Sequence, residues 1–130
     1  MAVRQTLARK GVIQPASAPT PEPFTLVTTE AGISDIVTAI EDSGGAVGLD
    51  TETTGLRHAT DRVRLIQLAT ERGTFLIDVF AFPDPSAAFA ELFEVLAKFG
   101  IVGHNLNFDL PFLARLGFTP GRVFDTMLAS

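Results

Sequence analysis

VGLDTETTGL, Val47 to Leu56, runs an apolar approach into two acids separated by one residue and stops at Gly55. In a strand, residues i and i+2 face the same side about 7 Å apart. Asp50 and Glu52 would therefore project together from the carboxyl end of a strand. Unpaired carboxylates beside a core are costly, and the ends of strands in α/β sheets are where ligands gather. A D-x-E pair alone reads as a solvated strand end, so the meaning of these two acids rests on what surrounds them.

The neighbouring elements follow from periodicity. FTLVTT, from Phe24, reads as a short strand, and Ile33, Ile36, Val37 and Ile40 recur at helical spacing before Gly44 and Gly45. AVGLDTE is the next strand. A polar loop, TTGLRHATD, leads to RVRLIQLAT, and after the short ERG turn comes TFLIDVF, two apolar runs joined tightly enough for an antiparallel hairpin. Asp84 can cap and Pro85 open a helix in which Phe89, Leu92, Phe93 and Leu96 form one apolar face before Gly100. IVGH is then a short buried strand. NLNFDLPFLARLG is helical in period, provided that it starts near Asn107 or Phe108 so that Pro111 falls in or beside the first turn. RVFDT is a last strand, and MLAS begins a further element. This order predicts an α/β fold, a mixed sheet of five to six strands with helices packed on it.

The whole chain has 130 residues, 46% of them hydrophobic and 19% charged, enough for one core. Residues 1–23 are expected to be a flexible Pro/Ala-rich arm, since QPASAPTPEP packs four prolines among small residues. Residues 24–130 form the domain. The arm holds three basic residues against Glu22, whereas the rest holds seven basic against fourteen acidic. An acidic body argues against binding nucleic acid through a broad basic surface, yet allows an acidic pocket that reaches phosphate through cations. There is no cysteine, hence no disulfide or thiolate metal site, which suits a cytoplasmic protein. No apolar run reaches the roughly 18 residues of a membrane span.

A third acid, Asp109, lies four residues after Asn105 at the start of the helix that follows IVGH. If the strands VGLDTE and IVGH are neighbours, Asp50, Glu52 and Asp109 converge on one edge of the sheet. Three carboxylates so placed repel one another unless a cation shares them. Oxygen donors without sulfur favour a hard ion, Mg²⁺ or Mn²⁺. Two such ions about 4 Å apart can activate a water and stabilise the leaving oxygen in phosphodiester cleavage.

With GHNLNFD following a second strand, the chain resembles the DEDD, or DnaQ-like, 3′-5′ exonucleases of the ribonuclease H-like fold. Within them it is most similar to the proofreading domain of family A DNA polymerases, with ribonuclease D next. DTETTGL looks like the first exonuclease motif and GHNLNFD like the second, N-x-x-[FY]-D, matched by Asn105, Phe108 and Asp109. DRVRLIQLAT and VFDTMLAS also look like polymerase-type relatives. The resemblance implies that Asp50, Glu52 and Asp109 are catalytic carboxylates binding two divalent cations. It also implies that Thr53 contacts the terminal nucleotide, Leu56 packs on its base and Asn105 helps to hold the strand. Phe108 is implied as an aromatic that either packs or touches substrate. His104 is read as a hydrogen-bonded or core residue and His58 as a loop residue.

The family's third motif, a fourth aspartate preceded by a tyrosine or histidine, is not matched. The chain has no tyrosine, and Asp125, on a strand close to the second motif, reads as a structural or supporting residue. The domain is accordingly expected to be C-terminally incomplete, missing its last helices. The expected substrate is the 3′ end of single-stranded DNA or RNA, with a polymerase domain as a partner in a longer proofreading or repair protein. No residue declares a contact to a 2′-hydroxyl that would separate RNA from DNA. Two other readings are distinct. One is a nucleic-acid or partner-binding module of the same fold without turnover. The other is an aspartyl phosphotransferase of the haloacid-dehalogenase type, which needs D-x-D and parallel strands where this chain has Glu52 and a hairpin.

Overall fold

Thr29 separates the first two elements. Its side chain accepts the N–H of Gly32 at 3.2 Å and caps the helix that starts at Glu30, so the strand stops at Val27, two residues before the expected end of FTLVTT. The computed structural model describes residues 23–129, and it carries β1 (Phe24–Val27), α1 (Glu30–Ser43), β2 (Val47–Thr53), β3 (Val63–Thr70) and β4 (Gly73–Asp78). A single 3₁₀ turn over Val79–Ala81 is followed by α2 (Pro85–Ala88), α3 (Ala90–Phe99), β5 (Ile101–Gly103), α4 (Leu106–Ala114), β6 (Val123–Asp125) and α5 (Thr126–Ala129). The expected arm lies outside the described residues, apart from Pro23.

The strands form one mixed sheet in the order β1-β4-β3-β2-β5-β6. β2, β3 and β4 are antiparallel neighbours, as the short ERG turn requires, with Thr70 paired to Gly73 across it. β1 runs parallel to β4 on one side, and β5 and β6 run parallel to β2 on the other. The pairing on which convergence of the acids depends is present, with Val47 opposite Ile101 and Gly48 opposite Val102. One consequence of this order is that β2, β5 and β6 end, and β3 begins, at the same edge of the sheet.

The core lies under one face. Leu49, Ile66, Leu68 and Ile77 point down from the strands onto Ile36 and Ile40 of α1 and Leu92 and Leu96 of α3, and all belong to one cluster. Full burial of each such side chain contributes about 1.5–3 kcal/mol. The expected single helix from Pro85 divides at Phe89, which is fully buried and meets the rings of Phe82 and Phe93 at centroid distances of 4.9 and 5.9 Å.

α4 differs from its expected start. It begins at Leu106, so Pro111 falls in the second turn and the N–H it lacks is the one that would have met the Asn107 carbonyl. The helix is short, and its end is closed by tight turns, Leu116 N–H onto Leu113 and Gly117 N–H onto Ala114, each at 3.0 Å.

Candidate active site

β2 alternates faces as its sequence demands. Val47, Leu49 and Thr51 are buried toward the core, so Asp50 and Glu52 leave the opposite side of the strand, both half-buried. A shift in the β2–β3 register between Glu52 and Thr53 then turns the chain into the Gly55–Asp61 loop. Asp109, in the first turn of α4, is 4% exposed, and its carboxylate accepts a very short hydrogen bond from the Thr51 hydroxyl. Thr51 thus joins the two acidic segments, and the D-x-E spacing itself marks it: the residue between two outward acids faces inward.

All seven residues expected at the site line one pocket of about 460 Å³: Asp50, Glu52, Thr53, Leu56, Asn105, Phe108 and Asp109. They are not equivalent within it. Asp50 and Glu52 share a face, whereas Asp109 reaches the pocket from the core side of β2 through Thr51. Among the described residues, no three His, Asp or Glu side chains are grouped so that they could hold a metal ion between them. The donors are hard oxygens without sulfur, which fits Mg²⁺ or Mn²⁺ in kind.

The loop that carries Leu56 is tied down. Thr53 donates its hydroxyl to the Gly55 carbonyl at 2.6 Å, and the Asp61 carboxylate accepts the Arg57 N–H at 3.0 Å. Gly55 is pressed against Asp61 so closely that an added Cβ would lie 2.7 Å from its carboxyl carbon. Arg115, at the end of α4, donates to the carbonyls of His58 and Asp61 at 2.7 and 2.9 Å. Sequence reasoning passes over Arg115, whose only signal is a lone cation in an apolar run, FLARLG. At the tip of this loop Leu56 is 83% exposed and overhangs the pocket wall.

The other wall is set by Asp125. Its carboxylate accepts the N–H groups of Asn105 at 2.9 Å, Leu106 at 2.8 Å and Met127 at 2.9 Å, so it anchors the N-terminus of α4 from β6. Burial works to raise the Asp125 carboxyl, but those three donors, with His104 nearby, outweigh it and hold the carboxyl below its ordinary value. Asp125 is therefore a supporting residue, as its position on a strand suggested. Asn105 sits in the left-handed region, φ 60°, the one non-glycine residue so placed among those described. Gly103 lets β5 pass close by, since an added Cβ would lie 2.8 Å from the Leu49 carbonyl and 2.6 Å from Leu106. His104 is exposed and hydrogen-bonded to Thr126 at 3.0 Å, and His58 is a loop residue edge-on to Phe112.

The chain as a whole is similar to known proteins. A family described as 3′-5′ exonuclease matches residues 24–130. DNA polymerase I of Aquifex aeolicus (strain VF5) is 42% identical over 107 residues, covering 82% of this chain and 17% of that protein. The chain thus spans about a sixth of the polymerase that it matches. Among solved structures, Escherichia coli RNase D, an exoribonuclease involved in structured RNA processing, superposes with a TM-score of 0.67 at 26% identity, over 80% of this chain and 27% of that one. Trypanosoma brucei RNase D in complex with RNA U12 gives 0.69 at 20% identity, over 81% and 38%. The family match over residues 24–130, with the 42% identity and the superposition on RNase D, shows that this chain belongs to the 3′-5′ exonuclease family of A-type DNA polymerases, hydrolases of phosphodiester bonds on a ribonuclease H-like fold.

Proposed function

We propose that this chain removes nucleotides one at a time from the 3′ end of single-stranded nucleic acid, as the exonuclease part of a proofreading or repair protein that also carries a polymerase domain. The observation that carries the proposal is that the residues of both motifs, forty and more positions apart, line one pocket at one sheet edge. DNA is favoured over RNA by the 42% identity to a DNA polymerase.

In this reading Leu56 packs on the terminal base, Thr53 and Asn105 hold the sugar and the strand, and Phe108 lines the floor. Thr51 keeps the Asp109 carboxylate turned toward the pocket. Asp50, Glu52 and Asp109 would hold two divalent cations, Mg²⁺ or Mn²⁺, which when bound activate water and neutralise charge on the departing oxygen. In the net reaction, the oxygen of water joins phosphorus and the bond from phosphorus to the preceding nucleotide's 3′ oxygen breaks. That oxygen takes the proton, and a nucleoside monophosphate is released.

The test is end-labelled single-stranded DNA with Mn²⁺, followed by EDTA. Stepwise 3′ shortening that EDTA abolishes is expected. Asp50→Ala should remove both shortening and Mn²⁺ binding, the latter read by calorimetry; Mn²⁺ binding equal to that of the parent would show that the site is misassigned. A second reading is strand binding without turnover, which the side-chain placement allows: among the described residues the three acids line one pocket without being grouped closely enough to hold a metal ion between them. Binding with no metal-stimulated shortening would establish that reading and refute hydrolysis.

A further inference from the structure

Beyond the acid pocket the same sheet edge holds a second concavity, of about 350 Å³. Its lining is mixed, with Val63, Val79, Phe82 and Phe112 beside the Asp61 carboxylate, and it also carries the exposed residues Phe80, Arg62 and Arg115. Phe80 is 43% exposed on the 3₁₀ turn, its N–H held by the Asp78 carboxylate at 3.1 Å. The guanidinium of Arg62 lies 4.7 Å from the Phe80 ring centroid, and that of Arg64 lies 5.5 Å away. Three of the seven basic residues from Phe24 onward meet here, although acids outnumber them two to one over that stretch. Two nearby carboxylates are already engaged by backbone donors, Asp61 by Arg57 N–H and Asp78 by Phe80 N–H.

The two concavities adjoin. Thr53, a wall of the acid pocket, pairs directly with Val63, a wall of the cavity. Phe108 of the first and Phe112 of the second are in ring contact at 5.1 Å, both on α4. Phe80 follows β4, two strand spacings or roughly 10 Å from β2, so a strand must run past its 3′-terminal nucleotide to reach it.

We propose that this cavity is a second nucleotide subsite, which takes a base of the single strand a few positions upstream of the 3′ end onto Phe80 and its phosphates onto Arg62 and Arg64. The inference rests on the exonuclease reading above. An exposed aromatic flanked by guanidinium groups is the chemistry that holds single strands without regard to sequence, and guanidinium pairs with phosphate in a planar fork.

The test is fluorescence anisotropy with labelled single-stranded DNA in EDTA, so that nothing is shortened, comparing a hexanucleotide with a labelled mononucleotide, which cannot occupy both concavities. Phe80→Ala and the double variant Arg62→Ala, Arg64→Ala should each weaken the hexanucleotide roughly tenfold. Binding of the mononucleotide should change less than twofold, and Phe80→Trp should keep the parent's hexanucleotide affinity. The double variant should also lower the slope of log affinity against log salt by about 0.7 per lost phosphate contact. If the parent binds the hexanucleotide and neither variant weakens it, or both lengths weaken alike, the subsite is refuted and the exonuclease reading stands. A parent that binds neither length refutes both. Displacement of the hexanucleotide by an acidic peptide in the parent, lost in Phe80→Ala, would assign the cavity to a protein partner instead and overturn the proposal.

Discussion

Asp125 sets its charge against the backbone rather than against another side chain, and that gives it a measurable pH signature. Its folded carboxyl titrates below the ordinary value, so it contributes stability above about pH 3.9, the usual value in an unfolded chain, and loses that contribution as pH falls through the lower folded value. Asp125→Asn should lower the melting temperature at pH 7 and flatten its decline below pH 4, which thermal melts across pH 2–7 would show. Leu56 is the opposite case. Being 83% exposed, it supports the fold little, so Leu56→Ala should change stability by less than about 0.5 kcal/mol. The same change should weaken binding of a 3′ end several-fold by anisotropy while Mn²⁺ binding stays at the parent level. A loss of Mn²⁺ binding in that variant would count against its role on the base. The convergence of Asp50, Glu52 and Asp109 on one pocket is legible in the sequence once VGLDTE and IVGH are neighbouring strands. Thr51 and Arg115 are not, because what they do depends on partners 58, 57 and 54 positions away in the chain.

At the level of elements, α4 is the part on which the site turns. Its first turn carries Asp109, its floor ring Phe108 faces the acid pocket, and its last residue's neighbour, Arg115, grips the loop that displays Leu56. Arg115→Ala should free that loop at a cost of about 1–2 kcal/mol in stability, the scale of hydrogen bonds made by a charged donor. Limited proteolysis should then cut between Arg57 and Arg62 faster than in the parent, and equal rates would show that the grip does not matter. The strands are legible because alternation and the tight ERG turn are local. The start of α4 is less so: a proline normally belongs in the first turn, but here the anchoring of Asn105 and Leu106 by Asp125, a contact across β6, places the start earlier. Thr29 shows the same limit in reverse. Its β-propensity argues for a longer first strand, and its capping hydroxyl ends that strand early.

Among the described residues of the molecule, the core lies under one face of the sheet and the candidate site at one edge. Leu92→Ala, at a fully buried position in the single cluster, should cost about 2–5 kcal/mol by denaturant unfolding. A cost under about 1 kcal/mol would mean that α3 is not part of the cooperative unit. The order of the sheet also bears on how the protein comes into being. β2, β3 and β4 are consecutive hairpin partners and can pair as soon as residue 78 has been made, whereas the clamp on α4 joins Asn105 and Leu106 to an acid twenty and nineteen residues later. Domains form from the N-terminus during synthesis, so a growing chain displays DTETTGL early but cannot lock GHNLNFD against it until Asp125 has left the ribosome. The second motif is thus the last part of the candidate site to be fixed, held by an acid from β6 while the first motif lies in strands that pair much earlier.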